Sequence, residues 1–357
     1  MLTWTERVEL AHTFSPRLVL FPEDAALTRP GKETTAIGDY YPRDVRLLLA
    51  QGSLTRGGTQ PPQPASLDLL ATCTDPNAQL HLLGRSLPAP ELAWRKYFDL
   101  LTNANGRARF PLTTYARVQT RGEANRAGHD APKQGKDTPP FADEVGRPFF
   151  QPHTASDDDV ALQYWFCYFY NDWANQHEGD WEGICLFLRR ENAGYAPVGA
   201  SYYAHETGKR RRWTEVERTH AGDTHPLVFV AAGSHASYFQ FVDQGYFTTV
   251  PGWIIPVVGL QLNVNLSSTR VDRVPDARLH APVTPQIKVL PDPVGPPSRD
   301  DPAWENTKWL AFPGAWGVRL LSGVIYGGPL GPRHKGLKWQ NPFVWAERHC
   351  TPDFMVY

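Results

Sequence analysis

The densest group of residues that could do chemistry lies at the turn between two predicted strands. The aromatic strand predicted at 160–170 leads into a polar turn, and Asp180-Trp181-Glu182 stands where the next strand, predicted at 181–188, begins. Because side chains alternate across a strand, Asp180 and Glu182 must share one face while Trp181 points to the other. His177 precedes Asp180 by three residues. We therefore expect an imidazole and two carboxylates at one end of the sheet.

A His/Asp/Glu trio can bind a divalent cation, and oxygen-rich ligation favours Mg²⁺, Ca²⁺ or Mn²⁺ over a thiolate-type zinc site. We predict such a site at His177, Asp180 and Glu182, with Asp172 as a candidate further ligand. Two other interpretations remain open. The three side chains could be solvated or capping residues of the turn, or Asp180 and Glu182 could be the acid and base of a glycosidase.

Two further histidines end predicted strands. His235 follows the buried strand 227–231 in a turn of small residues, and His205 ends the strand 195–205. Each is a candidate metal ligand or a residue that orients the carboxylates. In an enzyme, His235, His205 and Glu182 are the candidate catalytic residues, with a histidine as proton acceptor. Ser234 and His235 are adjacent and their side chains should diverge, and G-x-S-x-G is absent, so a serine hydrolase is disfavoured.

The elements that must position these residues change from helices to strands along the chain. Thr3 and Glu6 form a capping box that opens a short helix, and further helices are predicted at 42–49 and 91–101. A long loop is predicted at 120–159. Strands are predicted at 113–119, 160–170, 181–188, 195–205, 212–218, 227–231 and 286–290. The predicted fold is mainly β, an antiparallel β-sandwich with a few short, mostly N-terminal helices.

We predict one globular domain. Residues 1–110 supply helical decoration and entry strands, 111–290 the sandwich core, and 291–357 a wrapping tail. The chain has 357 residues with 41% hydrophobic residues and a formal net charge of −1. These values exclude a disordered chain and a small disulfide scaffold, and they disfavour nucleic acid as a partner. The 33 prolines and 29 glycines disfavour a helical bundle.

We expect three of the tryptophans to lie in different parts of the fold. Trp165 should help to form the core, Trp181 should support the carboxylate strand from behind, and Trp173 should lie in the turn where recognition could occur. The N-terminus lacks a secretory signal pattern. The apolar run at 253–260 is too short to span a bilayer. We therefore expect a cytoplasmic protein without a transmembrane segment, for which peripheral membrane contact through Trp173 and residues 253–260 stays possible.

Two resemblances add to this interpretation. Residues 15–24, 39–45, 162–184, 226–239 and 331–342 resemble the bacterial branch of the vacuolar-protein-sorting-sixty-two-related family. Its most specific parts are the block from Asn171-Asp172 to Glu182 and the block Gly233-Ser234-His235-Ala236. This resemblance implies a link to vacuolar trafficking in fungi and uncharacterised bacterial relatives. It implies no reaction.

More remotely, residues 177–184 resemble the G-H-R-H-D-W-E heptapeptide of the necrosis-inducing cytolysin family. That resemblance implies a β-sandwich that holds a divalent cation and acts on lipid membranes. The metal-binding His, Asp and Glu of the family would correspond to His177, Asp180 and Glu182. Gly179 stands where the family has the histidine directly before the aspartate, and Asp172 is the nearest candidate for the upstream metal aspartate.

Three functional classes follow. The favoured one is a divalent-cation-dependent binding module that recognises a lipid headgroup or glycan, because no nucleophile or phosphate-binding loop stands out. The alternative is a metal-dependent hydrolase or other metalloenzyme that uses His177, Asp180 and Glu182. In the third class, a scaffold, the polar cluster would only connect loops.

Overall fold

A computed structural model describes most of the chain. The described residues are 2–23, 40–56, 61–83, 90–103, 105–128, 155–173, 176–191, 194–205, 207–250, 254–257, 260–263, 268–291, 303–321 and 324–353. Trp253 and residues 258–259 of the apolar run lie outside them, as does most of the predicted loop at 120–159.

The helices are short. They are α1 (Trp4–Thr13), α2 (Arg46–Leu49), α3 (Leu67–Thr72), α4 (Pro90–Thr102), α5 (Gly106–Arg109), α6 (Arg121–Gly128), α7 (Trp304–Thr307), α8 (Leu337–Gln340) and α9 (Pro342–His349), with 3₁₀ turns at Trp213–Glu215, Lys308–Ala311 and Pro332–His334. The Thr3–Glu6 capping box opens α1, as predicted. A second one opens α6, which corrects the predicted loop at 120–159 over its first residues: the Thr120 amide donates to Glu123 Oε2, and the Glu123 amide donates to Thr120 Oγ1.

Strands make up most of the remaining regular structure. They are β1 (Arg17–Val19), β2 (Ser53–Thr55), β3 (Gln63–Pro64), β4 (Gln79–His81), β5 (Thr113–Thr120), β6 (Val160–Asn171), β7 (His177–Glu191), β8 (Gly194–Ala204), β9 (Thr207–Arg212), β10 (Leu227–Val230), β11 (Ser237–Tyr238), β12 (Tyr246–Val250), β13 (Ile254–Val257), β14 (Leu260–Asn263), β15 (Ser268–Asp272), β16 (Gln286–Val289), β17 (Val318–Leu321), β18 (Val324–Gly327) and β19 (Cys350–Pro352). The mainly β class with a few short helices is therefore confirmed.

The largest sheet has the strand order β16-β5-β6-β7-β8-β9-β19, and the hairpin β17–β18 joins it at β7. Strands β5 to β9 pair antiparallel, whereas β16 pairs parallel to β5 and β19 pairs parallel to β9. A smaller sheet has the order β1-β10-β11 and begins with a parallel pair. The sheets are thus mixed, which corrects the prediction of a purely antiparallel sandwich.

Strands β6 and β7 form the centre of this sheet. All twelve residues of β6 are buried, because both faces of this aromatic strand are covered by other parts of the chain. Trp165 is fully buried and packs near Trp339, while Trp181 stacks on Trp309 at 5.1 Å between ring centroids. The core positions predicted for Trp165 and Trp181 are confirmed.

The predicted strand at 212–218 is wrong. Strand β9 ends at Arg212, and a 3₁₀ turn follows at Trp213–Glu215. The turn forms because Glu215 Oε2 accepts a hydrogen bond from the Arg212 amide at 3.0 Å, which gives the chain a local alternative to strand pairing.

Candidate functional site

The carboxylates lie on β7, directly beside the aromatic strand β6. Asp180 is opposite Tyr168, and Glu182 is opposite Phe166. Asp180 contacts the loop that carries His235, whereas Trp181 between the carboxylates stacks among tryptophans of the core. The strand alternation therefore separates these side chains as the sequence predicts.

Asp180 is a buried, fully engaged carboxylate. Its Oδ2 accepts from Asn171 Nδ2 at 3.1 Å and from His235 Nδ1 at 3.0 Å, and its Oδ1 accepts from the Trp181 amide at 2.9 Å. Burial alone would raise its pKa, but the His235 hydrogen bond and the nearby His177 lower the pKa of Asp180 to about 2. Asp180 is thus an anion at neutral pH.

The pKa of Glu182 is shifted in the opposite direction to that of Asp180. Burial, and then the charge of Asp180, raise the pKa of Glu182 to about 8, against the weaker effect of Lys338 and Lys335. Glu182 Oε2 is buried and has no hydrogen-bond partner among the residues that the structure describes. Glu182 therefore carries a proton at neutral pH and has unused hydrogen-bonding capacity.

His177 is the first residue of β7 and lies opposite Asn171, which corrects its predicted place in the turn. Its Nδ1 lies 2.7 Å from the carbonyl oxygen of Gly179, so Nδ1–H donates and Nε2 keeps its lone pair. Burial lowers the pKa of His177 despite the nearby Asp180. The ring is therefore neutral and suited to accept a bond or a metal ion at Nε2.

A second acid–histidine pair lies at the rim. His205 Nε2 donates to Asp272 Oδ2 at 3.0 Å, and the His205 ring stacks on Trp173 with 4.5 Å between centroids. The fully buried Asp272 also accepts from Ser234 Oγ at 2.7 Å and from Tyr238 OH at 2.5 Å. Burial acts to lower the pKa of His205, but the Asp272 bond outweighs it and the pKa is raised.

His235 and Asp172 differ in what they contact. His235 is fully buried, donates to Asp180 and stacks on Tyr168, with 3.9 Å between ring centroids. Asp172 is half-buried, and its Oδ1 accepts from Gln176 Nε2 at 2.9 Å. His235 is thus placed to orient Asp180, whereas Asp172 lies in the partly exposed turn after β6.

Three residues of this site are not predicted by the sequence patterns: Asp272, Lys335 and Lys338. Lys335 Nζ donates to the Trp181 carbonyl at 3.1 Å, and Lys338 Nζ donates to the His205 carbonyl at 3.3 Å. Both lysines belong to the segment 331–342 that carried a family resemblance, so that segment was the available signal. Asp272 ends a strand with no motif around it, and no local pattern marks it.

The proposed metal ligands agree in kind with a divalent cation, but among the described residues they are not arranged as a preformed site. In the described part of the chain, no three His, Cys, Asp or Glu side chains are placed so that they could hold a metal ion. Asp180 already accepts three hydrogen bonds. Glu182 Oε2 is the oxygen that a cation could take without displacing a donor.

No family model and no curated protein matches the chain. It is similar to the solved structure of a necrosis and ethylene inducing protein from the causal agent of cocoa's witches' broom disease, with 19% identity over 36% of this chain and 45% of that chain and a TM-score of 0.21. The chain thus aligns with less than half of that protein's length.

It is also similar to NLPPya solved with mannosamine and with glucosamine, at 13% and 14% identity, over 66% of this chain and 68% of each of theirs, with TM-scores of 0.28 and 0.27. These proteins belong to the necrosis-inducing group. Residues 177–184 of this chain resemble the heptapeptide of that group. At such TM-scores the likeness supports no conclusion about activity. Nothing in the comparisons supports the vacuolar-sorting resemblance.

Among the described helices, none has the length and apolar character needed to cross a membrane.

Proposed function

We propose that this protein is a binding module that takes a glycan or a lipid headgroup at the end of β6 and β7. The observation that carries the proposal is the buried Glu182 Oε2, which has no partner among the described residues although it lies near the ionised Asp180. Buried polar atoms are nearly always hydrogen-bonded. A ligand hydroxyl is a group that would satisfy this oxygen.

The surrounding groups suit a polyhydroxylated ligand. A protonated Glu182 donates, an ionised Asp180 accepts, and hydroxyl groups do both. Trp173 and His205 are only partly buried and are stacked at the rim, and such an aromatic surface packs against the C–H face of a sugar ring. A free glycan and a glycosylated lipid headgroup present the same chemistry to this site.

The proposal includes a divalent cation, Mg²⁺, Ca²⁺ or Mn²⁺, which His177, Asp180 and Glu182 would hold only after their side chains move together, because they are not preformed as a site. Support comes from the free lone pair of His177 Nε2 and from the unused oxygen of Glu182. A bound cation would stabilise the ionised form of Glu182 and supply coordination positions for ligand oxygens. Because Asp180 is already engaged by three donors, we expect cation affinity to depend most on Glu182.

Titration calorimetry on the full chain tests this proposal. Neutral monosaccharides and vesicles of glycosylated lipid are titrated with each cation and with chelator. We expect Glu182→Ala to abolish binding of the sugar probe, while Glu191→Ala, at the exposed end of the same strand, leaves it unchanged. Equal binding by both variants would contradict the site. Binding that survives chelator would remove the cation from the proposal and keep the ligand site.

A second candidate function is a metal-dependent hydrolase. The opposite pKa shifts of Asp180 and Glu182 favour it, because one ionised and one protonated carboxyl group is the arrangement that acid–base catalysis uses. In this case Glu182 would not bind the cation: it would donate its proton to the leaving oxygen, while water attacks the other side of the cleaved bond and gives up a proton to Asp180. Cleavage of a bound glycan by the wild type but not by Glu182→Gln would support this function. Unchanged ligand recovered after long incubation would contradict it.

A further inference from the structure

A cleft of about 590 Å³ lies beside the candidate site. Val271 and Arg273 line it, and Asp272 between them holds His205 and Ser234 of the candidate site. Because alternate residues of an extended segment point to opposite sides, this short stretch separates the cleft from the acid–histidine pair. The volume lies within the range of small-molecule binding sites.

Much of the cleft wall is apolar. Phe21, Phe241, Val274 and Leu279 contribute to it, and Val274 is buried whereas Leu279 is 79% exposed. A leucine so exposed gains nothing from folding by itself. Ligand binding would bury it and remove its methyl and methylene groups from water, which favours binding. The wall therefore favours a ligand with an aliphatic body.

The charged groups of the cleft are not equivalent. Arg278 is engaged with both oxygens of Asp276 at 2.6–3.0 Å, so this pair is internally neutral. Arg273 is exposed and has no ion-pair partner among the described residues. Its backbone is fixed, because its carbonyl accepts from the Ala232 amide at 2.9 Å. Asp243 also lines the cleft and is exposed, so water screens its charge as it screens that of Arg273, and the preference for a carboxylate rests on the paired hydrogen bonds that a guanidinium can donate.

We propose that this cleft binds a small amphiphile with an aliphatic body and one carboxylate, whose head pairs with Arg273 and whose body packs on Phe241 and Leu279. A guanidinium pairs with a carboxylate through two parallel hydrogen bonds, which a neutral head cannot reproduce. The cleft requires neither the cation nor the glycan of the proposed function, so the two sites can be tested separately.

Titration of the full chain with decanoate, decanol and decyltrimethylammonium tests the inference. We expect saturable decanoate binding, with decanol and the ammonium amphiphile at least about ten-fold weaker. Arg273→Gln should weaken decanoate about ten-fold, whereas Arg95→Gln, an exposed arginine on α4, should not. Equal affinity for the three probes, or no effect of Arg273→Gln, would overturn the proposal.

A second pair of variants tests the apolar wall at exposed positions, where a substitution is expected to leave the fold intact. Leu279→Ser changes the exposed leucine of the cleft, and Leu330→Ser changes another exposed leucine that does not line it. We expect only Leu279→Ser to weaken decanoate, about three- to ten-fold from the lost apolar contact. Equal weakening by both variants would show non-specific association and overturn the proposal. Neutral-sugar binding should be unchanged in both.

Discussion

His235 Nδ1 donates to Asp180 Oδ2 at 3.0 Å, and this bond joins the loop after β10 to strand β7. His235 is in the left-handed backbone region with φ 58°, which residues other than glycine rarely adopt. Its ring is stacked on Tyr168 with an angle of 5° between the planes. Side-chain contacts thus hold the backbone of the loop in a strained conformation, and Asp180 is one of their anchors.

A double-mutant cycle on His235→Ala and Asp180→Ala should show strong coupling. Each variant leaves a buried polar partner without its bond, so each should destabilise, and the double variant should lose about 1.5–3 kcal/mol less than the two losses added together. Urea unfolding measures the four stabilities. The pair of Asp276 and the exposed Arg278 is the control, for which we expect much weaker coupling. Additive losses at 180 and 235 would contradict the bond.

The same bond predicts a pH dependence. The pKa of Asp180 is held at about 2, below the value of about 3.9 in an unfolded chain. Its contribution to stability is therefore present above about pH 3.9 and is lost as the pH falls through about 2. The stability difference between the wild type and His235→Ala should persist at about pH 4 and shrink towards pH 2. A difference that disappears near neutral pH would contradict this prediction.

Glu182→Gln should stabilise the protein at alkaline pH. Because burial and Asp180 raise the pKa of Glu182 to about 8, the folded protein keeps a proton that the unfolded chain releases above about pH 4.5. Wild-type stability therefore falls as the pH rises from about 4.5 to about 8. The glutamine side chain does not ionise, so the variant does not lose this stability. The loss amounts to a few kcal/mol, because each unit of pKa shift corresponds to about 1.4 kcal/mol.

Chemical denaturation across this pH range, without added metal, measures the Glu182→Gln effect. The curves of variant and wild type should be closest near about pH 4.5 and separate upwards to about pH 8. Glu191→Gln, at the exposed end of β7, should follow the wild type throughout. Parallel curves for Glu182→Gln would show that Glu182 is ionised in the folded protein.

Local sequence patterns were sufficient to predict the strands that carry the carboxylates. β6 and β7 are adjacent in the chain, and the two-residue period places Asp180 and Glu182 without knowledge of the rest of the fold. The same holds for α4, observed at Pro90–Thr102 close to the predicted 91–101. Where pairing and periodicity are local, the prediction agreed with the structure.

The partners of these residues come from distant parts of the chain. Asp272 is 67 residues from His205, and Lys335 is 154 residues from Trp181, separations that no local pattern encodes. The parallel pairing of β16 with β5 is likewise non-local. The antiparallel prediction failed at the sheet edges for this reason, since turn signals between neighbouring strands predict hairpins and say nothing about long crossovers.

His205→Asn should lower stability most at acidic pH. Although burial acts in the other direction, the Asp272 bond raises the pKa of His205 above its usual value of 6.5. The stabilisation by the charged His205 is therefore complete at pH values below the pKa of histidine in the unfolded chain. It is lost as the pH rises through the higher pKa of His205 in the folded protein. Thermal unfolding at several pH values should show the variant approach the wild type on the alkaline side, and the NMR titration of the His205 ring gives the pKa directly. A constant difference would contradict the charged pair.

Gly179→Ala should be much more damaging than Gly222→Ala. Both glycines have positive φ, 62° and 83°, so both substitutions cost about 1 kcal/mol of backbone strain. A Cβ at position 179 would also lie 1.8 Å from the Trp316 carbonyl oxygen, whereas one at 222 meets nothing within 4 Å among the described atoms. We expect Gly179→Ala to lose at least about 2 kcal/mol more in urea unfolding. A histidine at position 179, where the cytolysin heptapeptide has one, would meet the same Trp316 backbone contact. Equal losses in the free energy of unfolding would show that the Trp316 backbone can move away from position 179 at little cost.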